Sequence, residues 1–127
     1  MAHLTIQYSI ELEKEYNIET FTEGLRATMC KTKIFPVGGI RVRAWSTNKN
    51  AIADGNKNNK YVDLILRMGK GRTLDEKKKV GENIIEFSRI FFSKEIKNNY
   101  FALALEIIEI DTELSWKLNT IHARLNK

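Results

Sequence analysis

Cysteine is nearly absent from this sequence, which limits how the chain can be stabilised. Cys30 is the only cysteine among the 127 residues, so no internal disulfide can form. The two histidines, His3 and His122, lie far apart in sequence, and no Cys/His cluster has the spacing of metal ligands. We therefore expect a metal-free, cytoplasmic protein that relies on a hydrophobic core.

Long apolar segments are also missing. No run approaches the roughly 18 residues that a membrane-spanning helix requires. The mean hydropathy is −0.37, and 43% of the residues are hydrophobic, which is enough for a core. The first residues, MAHLTIQYS, lack the basic region and apolar stretch of a signal peptide. We expect a soluble chain with no membrane partner.

Charge is present in modest excess of one sign. Lys and Arg number 21 against 16 Asp and Glu, a net charge of +5. A positive field attracts anions in general, from nucleic acids to small polycarboxylates. The basic residues are scattered except for Lys77-Lys78-Lys79, which adjoins Asp75 and Glu76 in a helical pattern typical of a solvated face. No basic run interleaves with aromatic residues, so we expect no nucleic-acid partner.

Residues 1–45 have the pattern of a strand, a helix and a second strand. Alternation indicates a half-buried first strand with one apolar side: Leu4, Ile6, Tyr8 and Ile10. Helical spacing follows at four apolar positions: Ile18, Phe21, Leu25 and Met29. Asn17 is suited to cap this helix, because its side chain can accept a hydrogen bond from a free backbone N–H. Alternation returns over residues 40–45, with Arg41, Arg43 and Trp45 on one side.

The same order recurs over residues 61–110, after a polar, Asn-rich loop at 46–60. Residues 61–68 are rich in Val, Leu and Ile, as a strand requires. Thr73 and Glu76 have the spacing of a capping box. A second helical stripe then contains four apolar residues: Val80, Ile84, Phe87 and Phe91. Residues 100–109 alternate again and predict a fourth strand.

These patterns predict one α+β domain over residues 1–127, with a tandem β-α-β repeat forming a two-layer structure. Right-handed crossovers make each unit's strands parallel and place both helices on one face of a four-stranded sheet. We expect the other face to carry Ile40, Val42 and Ala44, too apolar for water. Sheets of several copies would then pack inward. The apolar tail, residues 111–127, is expected to dock on its own or a neighbouring subunit.

Landmark residues lie along nearly the whole chain with a fixed spacing. They are His3, Phe35-Pro36, Gly39-Ile40-Arg41, Arg43, Ala53-Asp54-Gly55, Gly69, Gly71-Arg72, Leu74, Gly81-Glu82, Glu106-Ile107, Glu109, Leu114, Lys117, Asn119 and His122-Ala123. Each piece alone is weak, but the set requires no gaps. On these residues the chain resembles the 5-carboxymethyl-2-hydroxymuconate isomerase family of the tautomerase superfamily.

The resemblance implies a tautomerase-like homotrimer with pockets between subunits and no cofactor. It implies an isomerase that ketonises an unsaturated hydroxy or oxo di- or tricarboxylate from aromatic catabolism. The family's base is an N-terminal proline, exposed when the initiator Met is removed. Arginines matching Arg41 and Arg72 bind and polarise the substrate's carboxylate and carbonyl groups. Phe35 is a candidate for the apolar wall of the pocket, and core packing explains it equally well.

The sequence departs from the family at the proline, because Ala2 stands in its place. If Met1 is removed, Ala2 offers a primary amine at the same position. If Met1 stays, the Ala2 nitrogen is an amide and cannot act as a base. One alternative is therefore a weakly active or non-catalytic relative that binds small carboxylates.

Several of these residues also have plainer interpretations. Arg41 could be an ordinary exposed strand residue, and Arg72 could merely cap the turn or contact solvent. Gly69 and Gly71 before a helix could indicate phosphate binding, but the third glycine of a dinucleotide fingerprint is missing. We interpret the remaining basic landmarks as structural: His3, Arg43 and His122.

Overall fold

A four-stranded mixed sheet forms the centre of the computed structural model, which describes residues 1–125. The strands are β1 (Ala2–Ser9), β2 (Ile40–Thr47), β3 (Lys60–Gly69) and β4 (Phe101–Ile110). Their order across the sheet is β2-β1-β3-β4. β1 is parallel to β2, β3 is parallel to β4, and β1 and β3 pair antiparallel at the centre.

Two long helices cover one face of the sheet, as predicted. They are α1 (Ile18–Thr32) and α2 (Leu74–Phe91), which also pack against each other. Shorter elements, which the sequence patterns did not predict, are 3₁₀ helices at Ile10–Lys14 and Val37–Gly39 and the helices α3 (Ser93–Ile96) and α4 (Thr120–Leu125). Within residues 1–125, every helix is too short or too polar to cross a bilayer.

Both predicted helix caps are present. The Asn17 side-chain oxygen accepts a hydrogen bond from the Thr20 backbone N–H at 3.0 Å. Thr73 and Glu76 form the capping box in both directions, with N–O distances of 2.9 and 3.1 Å. These contacts satisfy backbone N–H groups in the first turn, which have no acceptor inside the helix.

Phe92 lies at the centre of an aromatic cluster between the helices and the sheet. Its ring centroid is 4.8 Å from that of Phe21 and 4.9 Å from those of Tyr16 and Phe91. Phe101 of β4 completes the cluster at 5.5 Å. Most of these pairs are tilted or edge-to-face, the arrangements that the ring quadrupoles favour. The cluster attaches the second β-α-β unit to α1.

The prediction of which β2 residues face away from the helices was wrong. Ile40, Val42 and Ala44 are half-buried and pack against the core beneath the helices. Arg41 and Arg43 therefore lie on the face without helices, which we call the open face. Alternation in a strand shows which residues share a side, but it does not show which side a helix covers. In this structure, α1 covers the apolar side of β2.

The open face still carries exposed apolar residues. Trp45 is 45% exposed, Ile65 38% and Ile108 41%. They are interspersed with Arg41, Arg43 and other polar side chains, so this face is more mixed than predicted.

Two isoleucines on α2 make a matched test of this packing. Ile84 is fully buried, whereas Ile90 is 67% exposed. We expect Ile84→Ala to lower the free energy of unfolding by about 2 to 5 kcal/mol, because it leaves a cavity in the core. Ile90→Ala should change it by no more than about 0.5 kcal/mol. Urea unfolding at one fixed protein concentration measures both, and equal losses would contradict this arrangement of α2.

Candidate active site

The two parallel strand pairs bring four chain segments to one end of the sheet. Ala2, at the start of β1, lies opposite Ile40 at the start of β2 and opposite Met68 near the end of β3. Gly69 lies opposite Ile110 at the end of β4. We call this the amine end, because the chain's first residue lies here. Loops and helix starts from both units therefore meet around Met1.

Met1 occupies a narrow space between two glycines, which we call the Met1 slot. A Cβ on Gly39 would lie 3.3 Å from the Cα of Met1. On the other side, the Gly69 N–H donates to the Met1 carbonyl at 3.1 Å. Glycine permits this close approach of backbone to backbone. Ala2, the next residue, is fully buried.

Arg72 is fixed beside the Met1 slot by three contacts. Its guanidinium donates to the Gly69 carbonyl at 3.3 Å and to the Ile34 carbonyl at 3.4 Å. Its Cζ lies 5.1 Å from the centroid of the Phe35 ring, within cation–π range. Phe35 is only 4% exposed, so it offers little open surface, and its ring supports Arg72 from within the structure. A guanidinium has five N–H groups, and these two bonds leave others to face the slot.

Arg41 reaches the same region from β2. It is exposed on the open face and lies opposite His3 of β1, whose other neighbour in the sheet is Arg67. His3 is 7% exposed, and within residues 1–125 its Nδ1 has no hydrogen-bond partner. Burial, followed by the charges of Arg41, Arg67 and Arg43, lowers the pKa of His3 to about 4. His3 is therefore neutral near pH 7 and does not add to the positive charge.

The α-amine of Met1 lies in the combined field of this region. Burial lowers its pKa below the usual 8.0, and the charges of Lys117, Arg72 and Arg41 lower it further, in that order. Each cation disfavours the protonated amine, so a larger fraction is free base near pH 7. The structure thus brings together the predicted site residues Ala2, Arg41, Arg72 and Phe35. Their chemical roles stay predictions.

The chain after β4 crosses the amine end. Residues 111–119 run from Ile110 to Gly38, where the Asn119 side-chain amide donates to the Gly38 carbonyl at 2.7 Å. The Asn119 side-chain oxygen accepts from the His122 N–H at 3.0 Å, and α4 packs on the 3₁₀ helix Val37–Gly39. Sequence patterns did not single out Lys117 as a site residue, because its position depends on this tertiary contact.

A groove of about 570 Å³ lies elsewhere, between α2 and β4. Its apolar walls include Leu74, Leu105 and Ile107, and the Lys77–Glu109 ion pair, 3.4 Å apart, lies at its edge. Neither Arg41 nor Arg72 lines it. Among residues 1–125, no three His, Cys, Asp or Glu side chains are grouped to hold a metal ion. The amine end is therefore the candidate site for chemistry.

Comparisons with known proteins agree with this geometry. The chain matches the 5-carboxymethyl-2-hydroxymuconate isomerase family over residues 2–125. The 5-carboxymethyl-2-hydroxymuconate Delta-isomerase of Escherichia coli is 29% identical over 123 residues, which is 97% of this chain and 98% of that protein. The crystal structure of a 5-carboxymethyl-2-hydroxymuconate isomerase from Deinococcus radiodurans R1 superimposes with a TM-score of 0.91 at 34% identity, covering 99% of this chain and 95% of that one.

A more distant similarity concerns the fold alone. A fused 4-OT, described as a wild-type symmetric trimer, superimposes with a TM-score of 0.69 at 13% identity, covering 91% of this chain and 93% of that one. The predicted α+β, tautomerase-like fold is confirmed, and so is the resemblance that the landmark residues indicated. The chain belongs to the 5-carboxymethyl-2-hydroxymuconate isomerase family, a family of enzymes.

Proposed function

We propose that this protein is a cofactor-independent, cytoplasmic isomerase that ketonises an unsaturated hydroxy or oxo carboxylate such as 5-carboxymethyl-2-hydroxymuconate in aromatic catabolism. The observation that carries the proposal is the meeting of Lys117, Arg72 and Arg41 at the start of the chain, where partial burial, followed by these cations, lowers the pKa of the Met1 amine. The relatives named above are isomerases of that substrate class. They give no support to the alternative of a protein that only binds carboxylates.

The reaction moves one proton and needs no oxidant. The enol O–H bond breaks, the C–O bond becomes a carbonyl, the double bonds shift, and a C–H bond forms. A base that is uncharged near pH 7 can take the proton from oxygen and return it to carbon. Partial burial and the cations around the start of the chain disfavour the ammonium form at Met1. An Ala2 amine would lie one residue further into the same surroundings.

Arg41 and Arg72 supply the charge that this step requires. A guanidinium stays protonated and can grip a carboxylate with two hydrogen bonds. Arg72 is already held by Gly69, Ile34 and Phe35, so it loses little freedom on binding. As the enol proton leaves, negative charge grows on oxygen, and a fixed cation stabilises that charge without having to reorganise.

Ala2 becomes the terminal residue if Met1 is removed, and the Met1 slot then opens. Its walls, Gly39 and Gly69, lie beside Arg72. A substrate in that space would contact the Ala2 amine and Arg72 at once. We propose that Ala2 is the catalytic residue in this form, with a primary amine doing the work of the family's proline.

Removing either arginine's charge tests the proposed site. We expect Arg41→Ala and Arg72→Ala each to lower kcat/KM for ketonisation by about 100-fold or more, as the loss of a preorganised charge does in other enzymes. Arg89→Ala is the matched control, because Arg89 is exposed on α2 and pairs with Glu86 at 2.9 Å. Ultraviolet absorbance of the dienol follows the reaction. Wild-type rates in both site variants would refute these roles.

The identity of the terminal residue makes a second test. Intact mass separates protein that starts at Ala2 from protein that retains Met1. We expect the Met1 form to be roughly 100-fold slower, because its amine lies one residue away, about 3.3 Å. The rate of the Ala2 form should fall as pH is lowered through the amine's pKa, since protonation removes the base. Equal rates for the two forms would exclude the Ala2 amine.

We further propose that the protein is a homotrimer assembled through the open face. Trp45, Ile65 and Ile108 are exposed there, and apolar groups on such a face favour association. Leu114, Trp116 and Leu118 of the tail are 73%, 85% and 92% exposed, so they too lack cover within one chain. The fused 4-OT with this fold, a symmetric trimer, supports the proposal.

Light scattering after gel filtration tests the assembly. We expect a mass three times that of the 14.7 kDa chain. Trp45→Glu should shift the mass toward the monomer, because a carboxylate would be buried without a partner. Glu86→Gln, on the exposed face of α2, is the control and should leave the mass unchanged. A wild-type monomer would rule the trimer out.

A further inference from the structure

Residues 111–119 form a segment that is anchored at both ends, which we call the strap. At one end, β4 remains paired with β3 through Ile110, opposite Gly69. At the other end, Asn119 donates to the Gly38 carbonyl at 2.7 Å and accepts from the His122 N–H at 3.0 Å. One side chain therefore ties the strap both to the segment that precedes β2 and to the start of α4.

Gly38 makes the second anchor dependent on the absence of a side chain. A Cβ at this position would lie 2.5 Å from the Cα of His122, closer than real Cβ contacts come. The atom met is backbone, so rotation of a side chain cannot relieve the clash. α4 can dock on the 3₁₀ helix Val37–Gly39 only while residue 38 is glycine.

Lys117 lies two residues before this anchor, which holds the strap at Gly38, next to Gly39 of the Met1 slot. Its charge lowers the pKa of the Met1 amine more than either Arg72 or Arg41 does. Within residues 1–125, no carboxylate forms an ion pair with Lys117, Arg41 or Arg72, whereas Lys60, Lys77 and Lys94 each have one. Three cations without an internal partner thus converge on one site, which favours a ligand with more than one negative charge.

We propose that Lys117 determines specificity by pairing with a third substrate carboxylate, and that the strap positions it for this contact. This inference rests on the proposed function, since it names how that site tells substrates apart. 5-Carboxymethyl-2-hydroxymuconate carries three carboxylates, and 2-hydroxymuconate carries two. Arg41 and Arg72 serve both compounds, whereas Lys117 serves the carboxymethyl group that only the first possesses.

Lys117→Gln tests the assignment through the ratio of the two substrates. We expect kcat/KM for the tricarboxylate to fall about tenfold to a hundredfold, the equivalent of one charge-assisted hydrogen bond, chiefly through KM. kcat/KM for 2-hydroxymuconate should fall by a smaller factor, because only the effect of Lys117 on the amine is then lost, so the ratio of the two values should fall about tenfold. Lys57→Gln, in the loop at the opposite end of the sheet, is the charge-matched control and should leave both values unchanged.

Gly38→Ala tests the role of the strap without touching Lys117. Displacement of α4 should reproduce the selective loss for the tricarboxylate. Gly81→Ala is the matched control, because its Cβ would meet only the ends of two side chains, Ile107 at 3.3 Å and Leu105 at 3.9 Å. Circular dichroism shows whether each variant is folded. If Gly38→Ala is unfolded, the result of Lys117→Gln alone tests the inference.

The outcomes separate this inference from the proposed function. If Lys117→Gln slows both substrates equally, Lys117 acts on the amine and the inference is overturned. If the wild type ketonises neither compound, the proposed function fails, and calorimetry with tricarballylate and muconate decides the inference. Tighter binding of tricarballylate that Lys117→Gln abolishes supports it, and binding that Lys117→Gln leaves unchanged overturns it.

Discussion

The antiparallel pairing of β1 with β3 is the constraint on which the site depends. Each β-α-β unit fixes its own two strands parallel, but only this central pairing decides which ends of the two units lie together. It places the start of the first unit beside the end of the second. The terminal residue, Arg41, Arg72 and the strap then surround one space. A parallel pairing of β1 with β3 would have put Arg72 at the far end of the sheet from Met1.

Positive charge is concentrated at the amine end, although repulsion between these cations lowers the stability of the fold. Some cations elsewhere are neutralised locally, as Lys60 is by the buried Glu95 at 3.0 Å. At the amine end, Arg41, Arg72 and Lys117 repel one another, and none of them forms an ion pair within residues 1–125, which costs stability and favours a polyanionic ligand. Together with burial, these charges lower the pKa of the Met1 amine. In the proposed mechanism, the charges that attract the substrate are therefore also the charges that favour the free-base form of the amine.

Much of the fold was predictable from the sequence, because local signals were strong. Caps at Asn17 and Thr73 and the periods of the two long helices depend on neighbours within a few residues. Alternation alone did not predict which face of β2 the helices cover. It also gives no information on the order of the strands in the sheet. Arg41 and Arg72 were found through the family resemblance. Lys117 was one of the landmark residues, but it was not predicted as a site residue, because its place depends on the contact between Asn119 and Gly38, far apart in sequence.

The distribution of aromatic residues affects what optical spectroscopy can observe. The interior cluster consists of phenylalanines and Tyr16, whereas both tryptophans, Trp45 and Trp116, lie at the surface of a single chain. Tryptophan emission therefore reports the open face and the strap, and the core contributes little to it. A blue shift of this emission would indicate that another polypeptide covers these surfaces. Unfolding of the core would have to be followed by another signal.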